Sequence, residues 1–371
     1  MKRLPVLSSR MATYDALASY PPRPPGFGAQ GLPSLSDGQG RRYTYARISL
    51  TDRCDMACVY CMPPGGEEEH ALRDELMSFE EVARLVRILN QMGVTRVRFT
   101  GGEPLVRKDI VRLVALSHRE APDVELVMTT NAGRLAELAG PLAEAGLRGV
   151  NVSIDSLNAE RFAEITRGGS LRAVLAGLNA ARAAGLTLKT NTIPMRGVND
   201  GELRALVQHA WDLGAVPRFI ELMPLGEGAK LPSAMRMTRA DVEQVLGDML
   251  VGASNAAGAP PLEAPAAGDQ GPARYARAAH AQGRRVGFIT PLSGTFCDSC
   301  NRIRLTARGD LRGCLASRSA LSLRDILRAG GSDRDVAWAL SYALGNKGDG
   351  HGFLDPDEAE HRHVGMSLIG G

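Results

Sequence analysis

The chain has 371 residues, 44% of them apolar, with 44 Lys and Arg against 41 Asp and Glu for a formal charge of +3. That length suits one large domain with a smaller appendage, and so slight an excess of interspersed positive charge argues against a nucleic-acid or membrane-surface binder. No apolar run is long enough to span a bilayer, residues 1–10 lack the apolar core of a secretory signal, and a cytoplasmic location is expected.

Residues 1–40 are rich in Pro, Gly and Ser, densest at Tyr20-Pro-Pro-Arg-Pro-Pro-Gly26, and read as a disordered extension. From Tyr43 short β-like runs alternate with amphipathic helices. Strands are expected over residues 43–50, 96–100, 125–129, 149–154, 187–193 and 218–223, and helices over 79–92, 110–120, 135–145, 171–184 and 202–213. Ser78 with Glu81 reads as a capping box, Asn199-Asp200 as a second helix start, and Gly93, Gly146, Gly185 and Gly214 as helix stops. Strands alternating with helices at this spacing imply right-handed βαβ units and a parallel sheet. The fold class expected is α/β, a partial six-unit (β/α) barrel over residues 41–250. Its last part holds a helix near 239–250, and after it come an Ala/Gly/Pro-rich linker over 252–272 and a carboxy-terminal domain over 251–371. That domain has β-like runs at 273–280, 284–290, 302–306 and 310–315, and helices near 321–329 and 334–344.

All six cysteines fall in two sets of three: Cys54, Cys58, Cys61 and Cys297, Cys300, Cys314. Disulfide pairing strands one thiol in each set, and a reducing compartment keeps all six open. Two matched triads point to two metal centres. Cys54, Cys58 and Cys61 follow the first strand within eight residues and can converge on one centre, one ligand short of closing the four irons of a cubane. A structural zinc site needs a fourth Cys or His nearby; His70, the nearest, sits in an acidic loop that suits a solvated role. The other unusual residues also follow strands: Gly101-Gly102-Glu103-Pro104 the second, Thr129-Thr130-Asn131 the third, Asp155-Ser156 the fourth and Met223-Pro224 the sixth. In parallel α/β folds the active site gathers at such strand ends.

C-x3-C-x2-C with Tyr60 before the last cysteine is similar to the signature of the radical S-adenosylmethionine (SAM) superfamily. The resemblance implies a 4Fe-4S cluster on Cys54, Cys58 and Cys61 whose open iron chelates the amino and carboxylate groups of SAM, and a 5′-deoxyadenosyl radical formed by one-electron cleavage. Gly101-Gly102-Glu103-Pro104 alone is a common turn; forty residues beyond the cysteines it matches the superfamily's GGEP motif, where backbone lacking Cβ can approach the SAM amine. SAM contacts then fall on Tyr60, Gly102, Ser153 and Met223, each of which read singly suits packing equally well or better.

Phe296-Cys-Asp-Ser-Cys-Asn-Arg302-Ile-Arg304, with Cys314 beyond an arginine-rich hairpin, resembles the carboxy-terminal cluster region of the GTP 3′,8-cyclases (MoaA type) of molybdenum cofactor biosynthesis. That resemblance covers residues 43–371. It implies a lyase converting GTP to 3′,8-cyclo-7,8-dihydroguanosine 5′-triphosphate, and a second 4Fe-4S cluster on Cys297, Cys300 and Cys314 facing the guanine. GTP contacts are implied at Arg47, Arg98, Thr129, Lys189, Arg302, Ile303 and Arg304. Arginine forks suit phosphate oxygens and keep their charge. Catalytic roles are implied for Arg302, Arg304 and the terminal Gly370 and Gly371, which in the family reach back into the active site. The chain departs from the pattern at Asn131-Ala132-Gly133, where the family usually has Asn-Gly directly. Partners expected are GTP, an electron donor that the sequence does not identify and a downstream pterin synthase; a homodimer is compatible with the sequence. The rival readings are a peptide-modifying radical SAM enzyme, which would carry more carboxy-terminal cysteines, and an iron-sulfur scaffold or sensor without turnover.

Overall fold

The computed structural model describes residues 21–67, 70–251, 262–263, 271–280, 283–315, 321–345, 347 and 366. Its first part runs β1 (Tyr45–Ser49), α1 (Phe79–Gln91), β2 (Arg96–Thr100), α2 (Ile110–Glu120), β3 (Glu125–Thr130), α3 (Leu135–Glu144) and β4 (Leu147–Ser153). It continues through α4 (Ala159–Thr166), α5 (Leu171–Ala183), β5 (Thr187–Thr192), α6 (Leu203–Asp212) and β6 (Val216–Ile220). Then follow α7 (Glu227–Lys230), α8 (Arg239–Leu246), β7 (Arg274–Arg277), β8 (Arg285–Ile289), β9 (Arg302–Leu305), β10 (Asp310–Arg312), β11 (Leu321–Ser322), α9 (Leu323–Arg328) and α10 (Asp333–Gly345).

Among the described residues all strands join one sheet in the order β11-β10-β9-β1-β2-β3-β4-β5-β6-β8-β7. Pairing is parallel from β9 through β1 to β6 and on to β8, while β10 on β9 and β7 on β8 are antiparallel. The strands alternate strictly, as a sheet with one face on helices and the other on a lumen requires. Ala46, Ile48, Val97, Phe99, Val150, Val152 and Ile303 enter the hydrophobic core, whereas Arg47, Arg98, Thr100, Asn151, Ser153 and Arg304 face a cavity. The outer strands β11 and β7 do not pair with each other, so the barrel is partial, as expected.

One expectation, disorder over residues 21–40, is corrected. The carboxy-terminal region sends β8 to the β6 edge and β9 to the β1 edge of the barrel itself. This register joins residues far apart in the chain, which no local pattern reveals. Residues 21–40 are packed: Leu35 is 1% exposed and belongs to the core, Phe27 lies edge-on to Trp338 at 5.3 Å, and Trp338 Nε1 donates to the Pro21 carbonyl at 2.8 Å. Composition undercounts this segment because its apolar partners lie on α10 and not within the segment.

The capping box at Ser78 and Glu81 forms, and the four glycine stops all have positive φ. The helix start at Asn199-Asp200 also forms, as a 3-10 turn over Asp200–Glu202 that leads into α6; the Asn199 side chain makes no capping hydrogen bond but is buried and donates to the carbonyls of Asp155 and Ile193, cross-linking two loops. Helix α4, with Asn158 as its cap, is an element the sequence periodicity did not reveal. Among the described residues no helix is long and apolar enough to cross a membrane.

If the amino-terminal segment is part of the folded unit, Leu35→Ala will cost about 2–5 kcal/mol, as for other core leucines, read as a lower urea midpoint of the apoprotein. A change within about 0.5 kcal/mol, typical of a surface position, would show that this segment is not part of the cooperative core.

Candidate active site

Parallel register fixes where the two triads stand. Cys54, Cys58 and Cys61 follow the carboxyl end of β1, whereas Cys297 and Cys300 precede the amino end of β9, its parallel neighbour. The triads therefore occupy opposite ends of the lumen, and all six cysteines line one cavity of about 300 Å³. Sequence reasoning placed functional residues at carboxyl ends; the second triad uses the other end.

The first cysteine loop is held by α4. Ala57 N donates to Thr166 O at 3.1 Å and Val59 N to Ile165 O at 2.9 Å. Arg167, which ends the helix at φ 53°, donates to the carbonyls of Ala57 and Met62. From the other side, Gly102 N donates to Thr51 O and Glu103 N to Arg53 O, both at 2.8 Å. A Cβ on Gly101 would stand 2.6 Å from Thr51 O, and one on Gly102 2.4 Å from Arg53 O. These glycines thus let one backbone lie against the other, a use distinct from the expected approach to a ligand, although both also line the cavity.

Two carboxyls missed as site groups face the same end. Glu103 accepts from Leu105 N, Thr130 Oγ1 and Asn131 N at 2.9, 2.7 and 2.6 Å, and burial raises its pKa to about 7. Asp155, raised by burial to about 6, accepts from the Tyr60 hydroxyl at 2.6 Å and Ile193 N at 2.8 Å. The Tyr60 hydroxyl is therefore committed to Asp155. Ser153 and Met223 line the cavity. At the family departure, Ala132 takes φ 62°, a left-handed conformation costing a non-glycine residue roughly 1–2 kcal/mol. An Asx turn from Gly133 N to Asn131 Oδ1 at 2.9 Å holds it, leaving Asn131 Nδ2 3.8 Å from Cys54 Sγ.

Between the triads lies a row of arginines. Arg304 on β9, Arg47 on β1 and Arg98 on β2 are direct register partners, and Arg218 and Arg302 line the same cavity. Burial and the neighbouring Arg304 and Arg98 hold Arg47 well below its ordinary pKa. Arg304 falls to about 10 through burial and the charge of Arg302. Arg98 donates to the Tyr45 hydroxyl and to Thr129 Oγ1. Burial would raise the Tyr45 phenol, but Arg98 and Arg47 outweigh it and bring it to about 8. Buried like charges oppose folding unless opposite charge meets them.

Lys189 shares the register row of Asn151 but does not line the cavity. The Ile303 side chain is fully buried in the core, so only its backbone can reach a ligand. Gly370 and Gly371 lie outside the described residues. Tyr45 and Arg218 were missed although each sits two positions from another lumen residue, Arg47 and Ile220, an alternation the sequence does carry.

The donor sets fit iron-sulfur clusters. Among the described residues no three His, Cys, Asp or Glu side chains are set to hold a single ion; cubane thiolates each bind a different iron and stand wider. Burial lifts the Cys54 thiol to about 12 and Cys58 well above its ordinary value, so loading must strip protons that the bare site holds tightly. Cys300 differs: burial is outweighed by Arg302 and Lys347, and it falls to about 7.

Residues 48–210 match the model of the radical SAM superfamily and residues 216–353 that of the Molybdenum Cofactor Synthesis C family. A curated GTP 3′,8-cyclase of Caulobacter vibrioides is 41% identical over 91% of this chain and 94% of its own; that of Paracoccus denitrificans is 41% identical over 89% and 92%. The chain belongs to the GTP 3′,8-cyclase family. Among solved structures, Streptococcus suis SuiB bound to S-adenosylmethionine shares the fold, with TM-score 0.55 and 14% identity over 82% of this chain and 66% of that one.

Two outcomes follow for this member of the family. The fold lowers the Tyr45 pKa from an ordinary 10 to about 8, so its contribution to stability is complete above pH 10 and is lost as pH falls through 8. An ultraviolet titration of the apoprotein will show a phenolate step near pH 8 that is absent from Tyr45→Phe; identical curves would refute the arginine contact. Arg304→Met relieves one buried charge: the apoprotein should unfold at higher urea while GTP binding weakens about tenfold or more, the loss of one charge-assisted contact of about 1.5–3 kcal/mol.

Proposed function

We propose that the cavity binds GTP along the lumen between the two triads, and that the chain is a radical SAM GTP 3′,8-cyclase, a lyase making 3′,8-cyclo-7,8-dihydroguanosine 5′-triphosphate. This is the first step of molybdenum cofactor biosynthesis. The observation that carries the reading is the register row Arg304, Arg47, Arg98 set between two three-cysteine sets in one cavity.

Cys54, Cys58 and Cys61 would hold one 4Fe-4S cluster and Cys297, Cys300 and Cys314 another. When bound, the first cluster would supply the electron that splits SAM to methionine and a 5′-deoxyadenosyl radical; hydrogen then passes from C3′ of GTP to that radical, C3′ joins C8, and a further electron from the donor with one proton quenches the product radical. The protein's share is placement. Tyr60, Gly102, Ser153 and Met223 bound the SAM side. The Tyr60 to Asp155 hydrogen bond fixes the aromatic between two ligands, and Asn131 steadies Cys54. Arg47, Arg98, Arg302 and Arg304, with Thr129, hold the triphosphate and ribose by charge-assisted hydrogen bonds. Lys189 is assigned to the same charge from its inward register, and Ile303 through its backbone. Low-dielectric walls strengthen these contacts and keep water from the radical.

Arg302 and Arg304 are also assigned to stabilising the charge that develops on the purine. Gly370 and Gly371 are assigned to the same end; Met366, five residues before the last, lines the cavity. A low-potential electron donor, a pterin synthase consuming the product, a homodimer and a cytoplasmic location complete the reading.

Anaerobic incubation with GTP, SAM and reductant, with products identified by mass, tests it directly. The wild-type chain is expected to yield the cyclic nucleotide with 5′-deoxyadenosine. Cys297→Ala should still release 5′-deoxyadenosine but no cyclic product. Cyclic product from that variant at the wild-type rate would remove the second triad from the reaction.

A further inference from the structure

The segment before β1 grips the second triad from behind. The buried Asp37 carboxylate accepts from Arg41 Nε and the Tyr43 hydroxyl, both at 2.5 Å, and from the backbone of Arg41 at 3.0 Å. Two arms reach out from this knot. Arg41 Nη1 donates to the Cys297 carbonyl at 3.1 Å. The Tyr43 ring lies beneath the Lys347 ammonium at 4.6 Å, a cation-π support, and Lys347 Nζ stands 3.7 Å from Cys300 Sγ. Arg302 presents a second cation to the same sulfur at 3.7 Å. At the first triad, by contrast, the side chain facing Cys54 Sγ is the neutral amide of Asn131 at 3.8 Å.

Charge and hydrogen bonds at cluster sulfurs set reduction potential, and a nearby cation favours the state carrying the extra electron. We propose that Lys347, held over Tyr43 by the Asp37 and Arg41 knot, is a positioning residue for the second triad that raises the reduction potential of the iron-sulfur cluster it carries. The inference rests on the two-cluster reading of the cavity. Its consequence is an order of filling: one electron from a low-potential donor settles on the second cluster more readily than it would without Lys347, while the first cluster is unaffected.

The test is an anaerobic dithionite titration of the reconstituted full chain followed by electron paramagnetic resonance. The first cluster is assigned by its spectral response to SAM and the second by its response to GTP. In Lys347→Met the second cluster's midpoint is expected to move negative, with the first unchanged, and Lys347→Arg should restore it. Tyr43→Leu, which removes the support but not the charge, should move it the same way by less. Iron lost from the second site in Lys347→Met but kept in Lys347→Arg would equally support a positioning role. An unmoved midpoint, equal shifts in both clusters, or an arginine variant no better than methionine overturns the inference. A wild-type chain with no GTP-responsive cluster overturns the two-cluster reading itself.

Discussion

A row of buried guanidinium groups is the constraint around which this molecule is arranged. Arg304, Arg47 and Arg98 are register partners on three adjacent strands, and burial together with the charges of Arg304 and Arg98 on either side lowers the pKa of Arg47. Burying such a row in the lumen costs folding free energy, a cost that a bound polyanion would offset. Tyr45 partly compensates in the meantime, which is why its phenol is so readily ionised. The row is complete only because β9 adds to the β1 edge; the first six strands alone supply Arg47 and Arg98 side by side, without Arg302 or Arg304.

The same strand addition separates the two thiol sets. In a parallel sheet a loop leaving β1 and a loop entering β9 must lie at opposite ends, so the connection that brings in two arginines also carries Cys297 and Cys300 to the far mouth of the lumen. A ligand spanning the cavity then meets soft thiol-bound metal at both ends and hard cations between. The mouths are built differently: backbone clamps from α4 and the Gly101-Gly102 turn at one, and a charged knot drawn from the segment before β1 at the other.

Local patterns carried much of this. Residues 96–100 and 110–120 read as a strand and a helix because apolar alternation and an amphipathic stripe coincide there with clear boundaries, and both have those bounds in the structure. The β6 strand was read two to three residues late, since the apolar run through Met223 outlasts the pairing that ends at Ile220. Motif spacing singled out all six thiols, whereas Arg47, Arg98, Arg302 and Arg304 were named only through the family resemblance. What escaped notice depends on distant contacts: the packing of residues 21–40 against α10, the short helix α4 whose job is to hold the cysteine loop, the β9 register, and Lys347, an ordinary surface lysine until Tyr43 is placed beneath it. Glu103 and Asp155 were visible as motif members, but burial, which sets their chemistry, was not.

Binding of a triphosphate by the arginine row is measured most directly by the unfolding midpoint of the apoprotein against inorganic triphosphate at constant ionic strength. A saturable rise is expected, reaching about 2.7 kcal/mol at a hundredfold excess over Kd, with no comparable effect from chloride. A midpoint indifferent to triphosphate, or one that chloride raises equally, would contradict it.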